Sequence, residues 1–184
     1  MYIIGITGTL GAGKGTVVDY LVKNKGFTHF SARAFLIKEI EKRHLAVNRD
    51  SMTLVANELR TQKGASYIVD ELYKAALASG TDAIIESIRS EGEINSLREK
   101  AHFTLWAVDA DPKIRFDRIK KRKSETDHID YPTFLANEAR EMHSDNPYNQ
   151  NLQKCIALSD AILLNNEEVS SLEQKVEKLL AKIK

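Results

Sequence analysis

The chain has 184 residues and carries 27 Lys and Arg residues against 26 Asp and Glu residues. This length suits one α/β domain with a sizeable core, and the balanced charge provides no overall field that would attract nucleic acid or an acidic membrane surface. Cys155 is the single cysteine, no apolar run is long enough to cross a bilayer, and the N-terminus lacks the basic and apolar segments of a signal peptide. We therefore expect a cytoplasmic protein without an internal disulfide.

The first sixteen residues predict a buried strand, a glycine loop and the start of a helix. An apolar run over 2–6 precedes the pattern Gly8-x4-Gly13-Lys14, which is the phosphate-loop signature. Glycine is needed there because a Cβ would keep backbone N–H groups away from a phosphate or force disfavoured dihedral angles. The amides and the positive end of the next helix form an anion site, and Lys14 reaches the outer phosphates. The predicted ATP-binding residues of this loop are Gly8, Gly11, Ala12, Gly13, Lys14, Gly15 and Thr16.

Short apolar runs that end at turn residues predict five strands. They lie at 2–6, Phe27–Ser31, Ala83–Glu86, Phe103–Val108 and Ala161–Leu164. Because helical segments separate these runs, the strands should be parallel in one sheet, with right-handed crossovers. Ligands of such sheets bind at the carboxyl ends of the strands.

Helical periodicity fills most of the stretches between the strands. The predicted helices cover about Lys14–Lys25, three segments between Arg33 and Ser79, a basic segment from Pro112 to about Lys123, Phe134–Met142, and Val169–Ile183. Asp50 or Ser51 should cap the second of the three consecutive helices. The span 124–151 is polar and indicates an excursion from the core. The closing helix either packs on the sheet or forms a dimer seam, so we expect a monomer or a weak homodimer.

Two side chains at the carboxyl end of the third strand are candidates for site chemistry. Glu86 ends that strand, where an acid can organise hydrated Mg²⁺ beside a nucleotide, together with the hydroxyl of Thr16. Arg89 follows three residues later, and its planar guanidinium suits a second phosphate group. The alternatives are a strand-end surface glutamate and an exposed loop arginine.

The basic helix that begins at Pro112 offers further cations. Arg115, Arg118 and Arg122 are spaced three and four residues apart, so they share one face. On the helical piece of the 124–151 span, Arg140 is a candidate for a further charge that closes over the site. The alternatives are a solvated basic helix and surface ion pairs among Glu138, Arg140 and Glu141.

Three segments resemble the adenylate kinases and related nucleoside monophosphate kinases. The loop fits their pattern G-x-x-G-x-G-K-G-T, residues 86–89 (ESIR) are similar to their D-G-x-P-R, and residues 117–122 (DRIKKR) are similar to their D-R-I-x-G-R. This resemblance implies a three-layer P-loop NTPase fold with strand order 2-3-1-4-5, a helical acceptor region at about 33–79 and a short lid at about 123–151. It also implies that Arg89 holds the acceptor phosphate, Arg118 lies beside adenine and Arg122 contacts the transferred phosphoryl group.

The acceptor half departs from that family. Its members carry S-T-G-D-x-L-R after the second strand, whereas residues 31–37 here read SARAFLI. Ser31 remains, but the aspartate and the final arginine are absent. Arg33 or Arg60 is a candidate to replace the missing charge, and together with Arg89 they complete the predicted acceptor-binding residues.

The leading hypothesis is therefore a kinase that uses ATP and Mg²⁺ to phosphorylate a small phosphorylated acceptor, a nucleoside or deoxynucleoside monophosphate. In this hypothesis Lys14, Arg89, Arg122 and Arg140 are catalytic. A second hypothesis is dephospho-coenzyme A kinase or another metabolite kinase, because residues 159–166 (SDAILLNN) are similar to a D-x-x-I-x-N-N stretch of that family. A third is an ATP-binding switch or partner-binding protein without kinase activity.

Overall fold

A computed structural model describes residues 1–122 and 129–183 of the chain. Its strands are β1 (Tyr2–Gly8), β2 (Thr28–Ser31), β3 (Ala83–Glu86), β4 (His102–Asp109) and β5 (Ala161–Leu164). Its helices are α1 (Lys14–Lys25), α2 (Ala32–Lys42), α3 (Arg49–Lys63), α4 (Tyr67–Ser79), α5 (Glu91–Lys100), α6 (Pro112–Arg122), α7 (Tyr131–Met142), α8 (Leu152–Ala157) and α9 (Val169–Ile183). In the described ranges none of these helices combines the length and apolar character needed to span a membrane.

The strands form one parallel sheet in the order β2-β3-β1-β4-β5, with β1 at its centre. Ile6 of β1 is level with Glu86 on one side and with Trp106 on the other. Since all four pairings are parallel, the carboxyl ends of the strands meet at one edge of the sheet. This register places Glu86 beside the start of the glycine loop.

Helices cover both faces of the sheet and give the molecule three layers. On one face, Ile3 and Ile85 pack with apolar side chains of α2, α3, α4, α5 and α8. On the other face, Ile4, Ile6 and Trp106 pack with α1 and α9. The central strand is therefore apolar on both faces, as expected for a buried parallel strand. The predicted fold class and strand order are confirmed.

Two helices, α5 and α8, lie outside the predicted ones. The sequence of α5 is mostly polar, and its apolar stripe is short. Its start is fixed by a capping box, in which Ser90 Oγ accepts from the Glu93 amide and the Glu93 carboxylate accepts from the Ser90 amide. This reciprocal pair is visible in the sequence as S-x-x-E, so the start of α5 had a local signal that periodicity alone did not reveal.

The cap of α3 also differs from the prediction. Asn48, rather than Asp50 or Ser51, is the N-cap, and its side chain accepts from the Ser51 amide at 2.9 Å. Ser51 returns the contact, because its Oγ accepts from the Asn48 amide at 3.0 Å. Helix α3 therefore begins at Arg49.

Helix α7 packs against α6. Phe134 is fully buried, and its ring centroid lies 5.6 Å from that of Phe116 on α6. This buried aromatic side chain secures α7 on α6, but no residue of α7 belongs to either apolar cluster on the sheet. The excursion of 124–151 therefore stays a prediction. The first residues of the predicted lid, 123–128, lie outside the described residues.

Candidate active site

The glycine loop connects β1 to α1, and two of its glycines lie where no other residue fits. Gly8 has a φ of +131°, and a Cβ on it would lie 2.0 Å from the carbonyl oxygen of Val108. Gly13 caps α1 with a φ of +102°, and a Cβ there would lie 2.2 Å from Asn165 Nδ2. Both positions combine left-handed backbone with close packing, which glycine alone tolerates. Gly15, in contrast, has open space around it.

Lys14, the first residue of α1, folds back over the loop. Its Nζ donates to the carbonyl oxygens of Gly8 at 3.0 Å and Thr9 at 2.8 Å. Burial of the ammonium group, with the nearby charge of Arg89, lowers the pKa of Lys14 to about 7. The lysine is therefore held above the loop with a charge that a bound anion would stabilise.

The ends of β4 and β5 fix the loop from the other side. Thr9 Oγ1 donates to Asp109 Oδ1 at 2.5 Å, and the amide of Asn165 donates to the carbonyl oxygen of Asp109 at 2.8 Å. Asn165 Nδ2 also donates to the carbonyl oxygen of Ala12 at 2.8 Å and is buried. The side chain of Asn165 therefore holds the middle of the glycine loop.

Glu86 lies at the end of β3 within a set of polar side chains. Ser87 Oγ donates to its Oε1 at 2.9 Å, and His29 Nε2 lies 3.5 Å from its Oε2. Burial by itself would raise the pKa of Glu86, but the contacts with His29 and Ser87 and the charge of Lys14 outweigh it and lower the pKa to about 2. Glu86 is therefore a carboxylate at neutral pH, as a ligand of hydrated Mg²⁺ must be.

One cavity of about 740 Å³ opens over the loop and extends along α2 and α3. Its walls come from the glycine loop, the end of β3 and four helices, α2, α3, α6 and α7. Among the described residues, the charged side chains that line it are the cations Lys14, Arg33, Arg49, Arg60, Arg89, Arg118 and Arg122 and the carboxylates Glu86 and Glu141. The cationic excess makes this cavity suited to anionic ligands.

Thr16 also lines the cavity, and it is the second predicted magnesium ligand. Within the described ranges there is no group of three or more His, Cys, Asp and Glu side chains placed to hold a metal ion. This arrangement fits Mg²⁺ in a nucleotide site, because Mg²⁺ takes one or two protein ligands and completes its shell with phosphate oxygens and water. Glu86 and Thr16 have the chemistry for that role.

Two arginines on opposite walls meet at one carboxylate. Arg49 of α3 donates from Nε at 2.8 Å and from Nη2 at 2.5 Å to Oε1 of Glu141. Arg89 lies on the other side, with Nη1 at 3.6 Å from Oε2 of the same glutamate. The pKa of Glu141 is lowered, because the charges of Arg89 and Arg49 outweigh the effect of burial. Helix α7 thus contributes a charged group to the cavity.

Comparison with known proteins agrees with this architecture. A family model described as an AAA domain, AAA_18, matches residues 4–148. A UPF0200 protein of Methanococcus maripaludis strain C7 is 32% identical over 191 residues, and the match covers 98% of each chain. The chain belongs to the UPF0200 family and carries an AAA_18 domain. This UPF0200 chain therefore has the glycine loop, the cationic cavity and the ionised Glu86 in one site.

Solved structures place the UPF0200 chain among proteins with a kinase fold. Shikimate kinase from Bacteroides thetaiotaomicron superposes with a TM-score of 0.62 at 14% identity and covers 98% of both chains. Dephospho-CoA kinase from Campylobacter jejuni superposes with a TM-score of 0.53 at 12% identity, covering 98% of this chain and 96% of the other. At these identities the likeness shows the fold. The finer resemblance to adenylate kinases stays a prediction.

Most of the predicted site residues of the UPF0200 chain line the cavity. The ones that do are Gly11, Gly13, Lys14, Gly15, Thr16, Arg33, Arg60, Glu86, Arg89, Arg118 and Arg122. Gly8, Ala12 and Ser31 lie just behind its wall. Gly8 and Ala12 support the loop through their carbonyl oxygens, and Ser31 caps α2 with its Oγ 3.4 Å from Glu86 Oε2.

The structure differs from the prediction at Arg140 and Arg60. Arg140 is half exposed on α7, is absent from the cavity wall and pairs with Asp50 at 3.2 Å. Arg60 borders the cavity but is 3% exposed, and its Nε and Nη2 both donate to Oε1 of Glu93. A guanidinium that is buried against its own carboxylate is committed to the fold, so Arg60 supports the wall instead of offering a free charge.

Sequence reasoning missed three residues of this site, Arg49, Ser87 and Glu141. The spacing along α7 held a signal for the last of them, because Glu141 follows the buried Phe134 by seven residues, or two helical turns. Arg49 had no local signal, since it meets Glu141 only through the tertiary fold. Ser87 has a left-handed φ of 73°, which no residue pattern around it indicates.

Proposed function

We propose that this protein is a phosphotransferase that uses ATP and Mg²⁺ to phosphorylate a small phosphorylated acceptor, with a nucleoside or deoxynucleoside monophosphate as the acceptor class. The observation that carries the proposal is one continuous cavity that runs from the glycine loop to α2 and α3, with seven cationic side chains among the described residues that line it. Phosphoryl transfer requires little covalent chemistry from a protein, so positioning and charge stabilisation are the main tasks of such a site.

In the nucleotide half, the loop amides and Lys14 bind the phosphates of ATP, and Thr16 and Glu86 hold Mg²⁺. Bound there, Mg²⁺ would supply positive charge to stabilise the negative charge on the phosphate oxygens during transfer. Arg118 and Arg122 both line the cavity from α6. Arg118 Nη1 is buried and has no hydrogen-bond partner among the described residues, which supports its assignment to a ligand.

In the acceptor half, Arg89 binds the acceptor's phosphate group and Arg33 is the second candidate. Arg89 is well held from its backbone, because its amide donates to Glu93 Oε2 at 2.7 Å and its carbonyl oxygen accepts from the Asn151 amide at 2.8 Å. A fixed guanidinium discriminates phosphate geometry better than a mobile one. Arg140 is not part of the proposal, since its partner is Asp50 outside the cavity.

Acceptor-dependent release of ADP tests the proposal. The panel holds the nucleoside and deoxynucleoside monophosphates, with shikimate and dephospho-coenzyme A as other acceptor classes. We expect turnover with at least one monophosphate, and we expect Arg89→Ala to remove this turnover while ATP affinity is kept. Lys14→Ala should remove ATP binding and serves as the control for the nucleotide half.

Other outcomes of the same panel point elsewhere. Turnover of dephospho-coenzyme A alone would keep the reaction type and replace the acceptor class. Tight ATP binding without ADP release for any acceptor would contradict the kinase hypothesis and favour a nucleotide-dependent switch. In that case, nucleotide-dependent association with a second protein would be the measurement to follow.

A further inference from the structure

The carboxylate of Glu141 bridges two guanidinium groups inside the proposed acceptor half. Its Oε1 accepts both hydrogen bonds from Arg49, and its Oε2 faces Arg89. The Glu141 side chain is 8% exposed, whereas those of Arg49 and Arg89 are 20% and 18% exposed. The two arginines come from different elements, α3 and the segment after β3, so their convergence on one point is a product of the tertiary fold.

The charges at this point do not balance. One carboxylate carries a single negative charge against two positive guanidinium groups, and Lys14 lies close enough to influence the same carboxylate. Arg89 Nη1 is buried, makes no hydrogen bond among the described residues and lies 3.6 Å from the glutamate. A phosphate monoester carries close to two negative charges near pH 7 and offers three acceptor oxygens, so it would match both arginines better than the carboxylate does.

Helix α7 does not depend on Glu141 for its position. Phe134, two turns earlier, is fully buried, and Glu138, one turn earlier, accepts from Nη1 and Nη2 of Arg115 at 2.7 and 2.8 Å. These two anchors fix the helix on α6 without any contact to the cavity. Glu141 is therefore buried because it pairs with two arginines, and a competing anion can replace it as their partner.

We propose that Arg49 and Arg89 form the binding site for the dianionic phosphate group of the acceptor, and that Glu141 is an internal carboxylate that competes with this phosphate for the same two guanidinium groups. The inference rests on the proposed function, because it assigns the acceptor's phosphate to these residues. It adds Arg49 to the acceptor site and excludes acceptors whose recognition group is a single carboxylate. Acceptor binding must then release the Glu141 side chain from both arginines.

The test is a calorimetric titration of the whole chain with inorganic phosphate, with the glycine loop first saturated with a non-hydrolysable ATP analogue and Mg²⁺. Glu141→Gln keeps the shape of the side chain and removes the competing charge, so we expect phosphate to bind about tenfold more tightly. Arg49→Gln should weaken phosphate binding by about the same factor. Acetate, a single carboxylate, should bind more weakly than phosphate to all the variants.

Asp145→Asn is the matched control, because it removes an exposed carboxylate just beyond the same helix but leaves Arg49, Arg89 and both anchors of α7 untouched. Its phosphate affinity should equal that of the original chain. If Glu141→Gln binds phosphate no more tightly than the original chain, the inference is overturned. If Glu141→Gln does not fold, Arg49→Gln decides the question, and unchanged phosphate binding by Arg49→Gln then overturns the inference. If no acceptor in the panel releases ADP while Glu141→Gln still gains phosphate affinity, the proposed transfer fails and the anion site stands.

Discussion

Ser87 donates a hydrogen bond to Glu86 from a backbone conformation that serine rarely adopts. The Oγ to Oε1 distance is 2.9 Å, and the φ of Ser87 is 73°. A left-handed conformation costs a non-glycine residue about 1–2 kcal/mol, and such strain concentrates at functional sites. Glycine at this position would remove the strain. Serine therefore keeps the backbone path and adds a donor that orients the strand-end acid.

Two variants at Ser87 separate strain from orientation. Ser87→Ala and Ser87→Gly both remove the hydroxyl group, but only glycine relaxes the backbone. We expect Ser87→Gly to have a free energy of unfolding about 1 kcal/mol higher than Ser87→Ala in denaturant titrations. Both should lower Mg²⁺ affinity of the nucleotide complex by a similar factor. Equal stability of the two variants would contradict the strain, and unchanged Mg²⁺ affinity would contradict the orienting role.

The pKa of Lys14 predicts that nucleotide binding depends on pH. Burial and Arg89 favour the neutral amine and bring the pKa to about 7, whereas a bound triphosphate favours the ammonium form. Above pH 7 the protein must take up a proton to bind ATP, so affinity should fall by up to about tenfold for each pH unit. Below pH 7 lysine is already charged, and this dependence should disappear.

Calorimetry in two buffers of different ionisation enthalpy measures this proton uptake directly. Lys14→Arg is the control, since arginine stays protonated throughout this pH range and the nucleotide's own ionisation is common to both proteins. The difference in proton uptake between the two proteins is the contribution of Lys14. Binding of ATP at pH 8 without proton uptake by the original chain would show that Lys14 is charged before the nucleotide arrives.

Arg60 on α3 and Arg43, the C-cap residue of α2, provide a matched pair of ion-pair deletions. Arg60 is buried with Glu93, whereas Arg43 pairs with Glu58 at 2.8 Å and both of those side chains are partly exposed. Arg60→Ala leaves a buried carboxylate without its partner, so we expect a loss of about 3–5 kcal/mol in the free energy of unfolding. Arg43→Ala should lose less than about 1 kcal/mol. Denaturant titration measures both, and a small loss for Arg60→Ala would return that arginine to the list of acceptor-binding candidates.

The sequence predicted the elements whose apolar pattern is local and strong. Strands β3 and β5 and helix α1 end at the predicted residues, because short apolar runs and the glycine stop at Gly26 mark them. Helix α5 was missed because a mostly polar ten-residue segment has little periodicity, and its capping box is a weaker signal.

The candidate site also has a part that could be predicted from local sequence and a part that could not. The loop and Glu86 follow one strand each, so their positions could be predicted from strand ends. Arg49 and Glu141 are 92 residues apart and form their contact only when α3 and α7 pack beside the cavity. No spacing rule in one sequence connects such residues. A charged residue on a helix is also usually predicted to be exposed to solvent. Glu141 is buried only because two arginines from elsewhere in the chain pair with it.

Asn165 lies behind the glycine loop, and its contacts predict that its replacement weakens nucleotide binding. Its Nδ2 is the donor to the Ala12 carbonyl oxygen and packs where a side chain on Gly13 would lie. Asn165→Ala removes this donor and leaves a buried carbonyl group unpaired, which costs about 1–3 kcal/mol. The loop should then lose its preorganised shape, and we expect ATP affinity to fall by about tenfold.

Asn166→Ala is the neighbouring control, because Asn166 Oδ1 accepts from the amide of Asp111, away from the loop. We expect its ATP affinity to match that of the original chain. Equilibrium titration with ATP and denaturant unfolding of both variants separate loop shape from stability. Loss of stability by Asn165→Ala with full ATP affinity would mean that the loop holds its shape without this contact.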